Sequence, residues 1–441
     1  MNKTTHTFLD ESGIQERLAS LQDAWGANRD GIQDAPSSRE VNNHVHTRYS
    51  FSPYTPAAAA WHARLAGLRA LGSVDHESIG AAPELMQAGR IIGIGTTVGV
   101  EVRVSFAGTP FAGRRLNNPD SDGNAYIVIH GVPDPSIPRM AAFLAPLVAA
   151  RRRRNARQVE RLNAILERSR LPALDYPGDV EAISWVHHGG TVTERHILYA
   201  LALLLERTFS RGPALASAVE ERFGLAMTGT QREQLEDPQN PHYLYDVLGL
   251  FKGGFVDSFF VQPDEDECLP YHQVNEFARE IGAIPAYSYL GDVGESPTGD
   301  KKAQTFEDSF LDELIQWVPQ AGFQAVTYMP PRNTPEQLKR VQALCRDAGL
   351  LEISGVDINS SRQVFTCPEI LQPEFQHLNE TTWALIAHEK LSAREPRLGL
   401  FHPGNPLAGE PLRERIARYS SVGRECDPHH PEAMAEPAGA T

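Results

Sequence analysis

Two histidines one residue apart, His44 and His46 in the stretch NNHVHTRYS, are the residues of this sequence best suited to chemistry. On a β-strand, residues i and i+2 point to the same face, so both imidazoles would face one point. Imidazole nitrogens are common ligands of divalent metal ions. The spacing is equally compatible with a metal-binding strand and with two structural, hydrogen-bonded histidines, so further residues must decide.

Four more predicted strands carry a histidine or a carboxylate near their ends. These residues are Asp75 and His76 in SVDHES, Glu101 in GVEVRV, His130 in IVIHGVPD and Asp357 in SGVDINSS. The active sites of β/α barrels lie at the carboxyl ends of the strands. Imidazole nitrogen together with carboxylate oxygen suits zinc, manganese or iron. A single strand-end histidine is more often structural, but the ordered set predicts a metal site.

An alternation of strand and helix patterns would position these residues. From about residue 37, apolar strands alternate with amphipathic helices, the first with Thr55 as its N-cap and Pro56 in its first turn. A long helical region starting near residue 137 and containing RRRR interrupts the alternation, which resumes with GGFVDSFFVQP as the first segment. The pattern predicts an α/β fold, a parallel barrel split by a helical insertion.

The chain is expected to have five parts. They are an N-terminal extension with a short helix (1–36), the first half of the barrel (37–136), the helical insertion (137–250), the second half of the barrel (251–405) and a C-terminal tail (406–441). The tail is rich in Pro, Gly and Glu, and we expect it to fray. The arginine run is expected to face solvent or acidic neighbours rather than nucleic acid.

The overall charge excludes some function classes. The 441 residues include 41 Lys and Arg against 56 Asp and Glu, which gives a net charge of −15. Such a chain is not expected to bind nucleic acid, although a few local arginines could still hold a small anion. The four cysteines are scattered, and no apolar run reaches the length of a membrane span or a signal peptide. We therefore expect a cytoplasmic protein without a membrane partner. No pattern indicates an oligomeric state.

The motifs HVHTRYS, SVDHES, GVEV and the late GVD resemble, in this order, those of the polymerase and histidinol phosphatase (PHP) superfamily. The helical insertion with TERHILYALA is similar to that of stand-alone PHP phosphoesterases, and the resemblance covers roughly residues 40 to 365. It implies a distorted (β/α)7 TIM-like barrel that binds up to three metal ions. It also implies phosphate-ester hydrolysis, the reaction of most members.

The resemblance also implies roles for individual residues. It implies ligands of a first metal ion at His44, His46, Glu101 and Asp357. Glu101 would bridge to a second ion, and His76 would be a ligand of a third. His130 and His196 resemble ligands of the second ion or substrate-binding residues.

Three positions depart from the family pattern. Phe51 stands where a ligand is expected after the first motif, Tyr287 or Ser288 replaces a histidine, and Asn359 replaces the last histidine. We therefore expect one or two divalent ions per chain, zinc or manganese or else iron, and an empty or weak third position. His76 would then be available for acid–base chemistry or substrate contact.

Three functions are compatible with such a site. In the first, metal-activated water attacks a phosphate ester. In the second, a single metal polarises a sugar acid or sugar while Asp75, His76 or Tyr287 moves protons, which would give an isomerase, epimerase or lyase. In the third, the domain is an inactive scaffold, although the retention of four converging ligands argues against this.

Basic residues near the predicted rim favour a small anionic substrate. The arginines are Arg48, Arg103, Arg195, Arg332 and Arg362, and His196 is a further candidate. Guanidinium groups match the oxygens of a phosphate or a carboxylate. Each arginine alone is more often part of a structural ion pair. Arg195 and Arg362 are the strongest candidates because each lies beside a motif residue.

Overall fold

The computed structural model describes residues 13–33, 39–294 and 304–439. Within these ranges seven strands form one sheet in the order of the chain. The strands are β1 (Val41–Val45), β2 (Ala70–His76), β3 (Gly95–Ser105), β4 (Asn124–His130), β5 (Ile284–Ser288), β6 (Ala325–Tyr328) and β7 (Leu351–Ser354).

The sheet curls until its first strand reaches the chain that leaves its last strand. The His46 amide donates to the Ile358 carbonyl at 3.0 Å, and the Ile358 amide donates to the His44 carbonyl at 3.2 Å. These bonds form a parallel bridge between Val45 and Ile358. The predicted fold class, a distorted TIM-like α/β barrel, is therefore confirmed.

Strand β4 runs antiparallel to both β3 and β5, whereas the other pairs of adjacent strands are parallel. The prediction of a wholly parallel sheet was wrong here. A parallel neighbour requires a crossover, usually a helix, but residues 106–123 between β3 and β4 form turns and irregular chain. As a result, the carboxyl end of β4, with His130, lies away from the carboxyl ends of β2 and β3.

Helices surround the barrel. They are α1 (Ile14–Gln33), α2 (Pro56–Leu65), α3 (Ala82–Ile92), α9 (Tyr271–Glu280), α10 (Leu311–Trp317), α11 (Pro335–Ala348), α12 (Gln376–Arg394) and α13 (Leu412–Glu425). The insertion between β4 and β5 contains the helices α4 (Ile137–Arg168), α5 (Glu194–Phe209), α6 (Pro213–Phe223), α7 (Gly229–Glu236) and α8 (Tyr243–Gly254). Thr55 caps α2 as predicted, since its side chain accepts a hydrogen bond from the Ala58 amide. Among the described helices, none combines the length and the apolar composition needed to cross a bilayer.

Two sequence-based expectations fail in these regions. The tail does not fray over its described part, because α13 buries Tyr419, whose hydroxyl donates to the Leu398 carbonyl at 2.5 Å. The segment GGFVDSFFVQP is not a strand. It contains the end of α8, a short 3-10 turn at Val256–Ser258 and irregular chain. Phe255 and Phe259 pack there into a helical core, so tertiary packing overrides their strand preference.

The long helix α4 belongs to two hydrophobic cores. Its first half contributes Met140, Leu144 and Leu147 to the core of the barrel. Its second half contributes Val159, Leu162 and Leu166 to a separate core built by the insertion helices. One continuous helix therefore connects the barrel to the insertion.

A buried network of ion pairs makes a second connection between the barrel and the insertion. Its members are Arg103, Arg151, Arg154, Glu77, Glu194 and Glu267. Burial alone would raise the pKa of Glu194, but the charges of Arg151 and Arg154 outweigh it and hold this pKa well below its usual value. The network thus pairs three arginines with three glutamates, and the arginine run has acidic neighbours as predicted.

Candidate metal centre

Five predicted metal ligands meet at one end of the barrel. His44 and His46 come from the end of β1, His76 from the end of β2, and Asp357 from the chain after β7. Glu101 lies within β3, which extends beyond the rim, and it is the register partner of His76. The carboxyl ends of neighbouring parallel strands meet at one edge of the sheet, and for this reason polar residues near these ends could be predicted to lie together.

The distances between these side chains are short enough for a shared cation. His46 Nε2 lies 3.4 Å from Asp357 Oδ1 and 3.8 Å from Glu101 Oε2. His44 Nε2 lies 4.0 Å from Glu101 Oε1, and His76 Nδ1 lies 3.1 Å from Glu101 Oε2. Bonds of about 2.0–2.2 Å to zinc would separate two ligand atoms by distances of this order.

The ligand atoms form two triads that share one histidine. His44, His46 and Asp357 make the first group, which we call triad 1, and His46, His76 and Glu101 make the second, triad 2. Within each triad the ligand atoms lie within 4.8 Å of one another. Among the described residues, the buried Nδ1 atom of His76 makes no hydrogen bond of acceptable geometry, although Glu101 Oε2 lies 3.1 Å away, so its lone pair could bind a metal ion.

The electrostatics of the site favour a bound cation. Burial lowers the pKa values of His44 and His76, and lowers that of His46 to about 3, so these imidazoles are neutral and have a free lone pair. Burial and the nearby charge of Asp357 raise the pKa of Glu101 well above its usual value. A divalent cation would offset this crowding of carboxylates. The residues present therefore fit a metal ion.

The five predicted ligands, which together we call the metal cluster, form one wall of a cleft with a volume of about 150 Å³. Two predicted substrate-binding residues, Arg195 and Arg332, line the cleft. Lys252, at the end of α8, also lines it and was not predicted. In the sequence Lys252 is a single lysine before a Gly-Gly pair, and only the packing of the insertion against the barrel brings it to the site.

Tyr126 is another cleft residue that the sequence analysis missed. Its ring lies 5.5 Å from the ring of His76, and its hydroxyl accepts a hydrogen bond from Arg103 Nη2 at 2.6 Å. It stands near the amino end of β4, and because β4 is antiparallel, this end faces the metal cluster. Tyr126 therefore lies at the amino end of its strand, where active-site residues of parallel barrels are not expected.

Three residues predicted for metal binding or catalysis lie elsewhere. His130 belongs to neither triad, because the reversed direction of β4 takes it away from the rim. Tyr287 is fully buried, and its hydroxyl lies 3.5 Å from Glu307 Oε1 rather than in the cleft. Asp75 is also buried outside the cleft lining, with its pKa raised to about 6 by burial.

Several predicted substrate-binding residues have structural contacts instead. Arg362 donates from Nη2 to Asp246 at 2.6 Å, and the guanidinium of Arg48 lies 5.9 Å from the ring centroid of Trp185. Neither residue lines the cleft. Arg103 is part of the buried ion network. His196 Nδ1 accepts a hydrogen bond from the Thr193 amide at 3.0 Å, which caps α5.

The positions that depart from the family pattern have clear surroundings. Phe51 packs into the helical core, with its ring 5.0 Å from that of His196. Asn359 Nδ2 donates to Asp357 Oδ1 at 2.6 Å and so orients this carboxylate toward the cluster. The expectation that the third metal position is empty or weak stays a prediction. His76, the residue expected to be a ligand there, lies close enough to Glu101 to act as a ligand in triad 2.

Comparisons with known proteins identify no family. No protein-family model matches the sequence, and no curated protein sequence matches it. A protein of Bifidobacterium adolescentis, provisionally named a metal-dependent phosphoesterase, has a similar structure with a TM-score of 0.46 and 18% identity over 76% of this chain and 96% of its own. An amidohydrolase from Chromobacterium violaceum, with bound sulfate and no metal, has a TM-score of 0.47 and 16% sequence identity, and the match covers 77% of this chain and 95% of the amidohydrolase chain. At these values the likeness carries no information on the reaction.

Proposed function

We propose that this protein is a metal-dependent hydrolase of a small anionic substrate, in the first instance a phosphate ester. The observation that carries the proposal is the convergence of three neutral imidazoles and two carboxylates in a cleft that also contains cationic side chains. Triad 1 and triad 2 would hold one or two divalent ions, zinc or manganese in preference to iron.

The cationic residues of the cleft suit the binding of an anion. Arg195, Lys252 and Arg332 all line it, on the walls that surround the metal cluster. Charge-assisted hydrogen bonds from such groups to phosphate oxygens are about twice as strong as neutral ones. A local positive wall of this kind can hold a small anion although the whole chain carries a net charge of −15.

The protein's own groups would support hydrolysis in two further ways. Burial raises the pKa of Tyr126 far above its usual value, so its hydroxyl keeps its proton. Since this oxygen already accepts from Arg103, its proton is available for donation to a substrate oxygen in the cleft. A divalent ion bound by the triads would supply an activated water at neutral pH and polarise a phosphoryl oxygen.

The isomerase, epimerase or lyase alternative loses one of its proposed proton carriers. It relied in part on Tyr287 for proton transfer on a sugar acid, and this hydroxyl lies in the core beside Glu307. The scaffold alternative leaves unexplained why the cleft retains both triads and its cationic wall. The hydrolase proposal accounts for all of these features together.

The test combines metal analysis with a substrate panel. We would measure bound metal by mass spectrometry and phosphate release from sugar phosphates, nucleotides and phosphodiesters, for the wild type and for a His44→Ala/His46→Ala variant. A His187→Ala/His188→Ala variant is the matched control, because these histidines lie outside the cleft lining. We expect the first variant to lose metal and phosphate release and the control to keep both.

Two results would contradict the proposal. One is phosphate release that persists unchanged in the His44→Ala/His46→Ala variant. The other is a metal-loaded wild type that releases no phosphate but exchanges carbon-bound hydrogen of uronates or ketoses in deuterated water, which would establish the isomerase or lyase function instead.

A further inference from the structure

Ser50 lies between a buried carboxylate and one of the proposed metal ligands. Its hydroxyl donates to Asp75 Oδ1 at 2.6 Å, and its oxygen lies 3.4 Å from His46 Nδ1. All three side chains are almost completely buried. The three residues therefore form a continuous hydrogen-bonded chain from Asp75 to the metal cluster.

The hydrogen-bonding capacity of each group determines the direction of this chain. A serine hydroxyl has one hydrogen, and a carboxylate can only accept. Asp75 accepts from the Thr47 amide and the Thr47 hydroxyl, each at 2.6 Å, as well as from Ser50, so it acts as an acceptor throughout. The Ser50 oxygen is then left with lone pairs for His46, and His46 Nδ1 must carry the hydrogen.

This arrangement has a direct consequence for the metal site. A neutral imidazole with its hydrogen on Nδ1 has a free lone pair on Nε2. In His46 this is the atom that faces Asp357 Oδ1 at 3.4 Å and Glu101 Oε2 at 3.8 Å. The opposite tautomer would direct an N–H bond at the ion and prevent coordination by His46.

We propose that Ser50 and Asp75 are positioning residues that lock His46 in the Nδ1–H tautomer and so preset both metal triads. His46 is the residue that the two triads share, and a single tautomer choice therefore governs both of them. The inference rests on the proposed metal-dependent function. In this proposal the two adjacent residues Asp75 and His76 have different roles, because His76 is a metal ligand whereas Asp75 acts on His46 through Ser50.

The carboxylate of Asp75 also holds the loop that follows β1. Its bonds to the amide and the hydroxyl of Thr47 hold the chain directly after His46. Partners of this kind behind a metal ligand typically contribute 10–100-fold to metal affinity. We therefore expect removal of the Ser50 hydroxyl to weaken metal binding by about that factor.

The experiment compares Ser50→Ala with Ser52→Ala. Ser52 lies in the same loop and is also buried, but its hydroxyl accepts only from the Tyr54 amide, at 3.3 Å, among the bonds described. The readouts are the nitrogen-15 NMR shifts of the His46 ring in metal-free protein, assigned with His46→Gln, and Zn²⁺ affinity by chelator competition. We expect Nδ1–H in the wild type and Ser52→Ala, and a mixture of tautomers with weaker Zn²⁺ binding in Ser50→Ala.

The outcomes separate this inference from the proposed function. An Nε2–H tautomer of His46 in the wild type overturns the inference without any variant, and so does unchanged Zn²⁺ affinity in Ser50→Ala. A wild type that binds no Zn²⁺ overturns the proposed function, while the NMR result in metal-free protein still decides the tautomer.

Discussion

Glu267 is the centre of the buried ion network, and its neutralisation should destabilise the fold strongly. It accepts hydrogen bonds from Arg103 Nη1 at 2.9 Å and from Arg154 Nε and Nη2 at 2.5 and 2.8 Å. Glu267→Gln preserves the shape of the side chain. It removes one negative charge from a site where the glutamate and both arginines are about 1% exposed.

The expected cost follows from the contacts that are lost. Glutamine offers one acceptor oxygen where glutamate offers two, and its amide group must face an arginine N–H. One positive charge of the network also remains buried without compensation. Breaking a buried ion pair in this way costs about 3–5 kcal/mol. We expect Glu267→Gln to lower the free energy of unfolding by this amount.

Asp266→Asn is the matched control, one residue away. Asp266 pairs with Arg153 at 3.1 Å, but their side chains are 75% and 61% exposed. Exposed pairs of this kind contribute about 0–1 kcal/mol. Urea titration followed by circular dichroism would give both free energies of unfolding. Equal losses in the two variants would refute the reasoning, because burial would then have no influence on the strength of these pairs.

Two further predictions concern the cleft and the barrel core. Arg195→Ala should raise KM by roughly 10–100-fold, because it removes a charge-assisted hydrogen bond of about 1.5–3 kcal/mol to the substrate. Arg362→Ala is the control and should leave KM unchanged, since Arg362 pairs with Asp246 outside the cleft. A similar KM in both variants would count against the placement of the substrate. Burial raises the pKa of Glu307 to about 7 from an ordinary 4.5, so the folded protein retains a proton that the unfolded chain loses between these values, and stability should fall as the pH rises through this window. Glu307→Gln should flatten this pH dependence of the melting temperature, and a slope as steep as that of the wild type would disprove the assignment.

The convergence of the proposed metal ligands could be predicted from the sequence because their geometry is local. His44 and His46 share a face through the two-residue period of a strand, and Glu101 lies opposite His76 because adjacent parallel strands keep their register. The apolar strands and the turn chemistry around Thr55 are equally local. For these reasons the barrel fold and most of the proposed metal ligands could be predicted from the sequence.

The remaining site residues depend on relations that the sequence does not display. The direction of β4 placed Tyr126 at the cluster and took His130 away from it, and no local pattern records strand direction. Arg362 lies beside a motif residue, yet its partner Asp246 is 116 positions away in the chain. Lys252 reaches the cleft only because the insertion packs against the barrel. Each miss reflects tertiary packing rather than local preference.

The shared helix α4 has a consequence for how the cleft is assembled. Arg195 and Lys252 come from the insertion, whereas Arg332 and the residues of both triads come from the barrel, so the cleft is built from both parts of the fold. One unbroken helix enters both cores, and the buried ion network joins the barrel and the insertion a second time beside it. With two such connections, we expect ligand binding to involve little of the entropy loss that closing two mobile domains would cost, so that more of the free energy of each contact contributes to affinity.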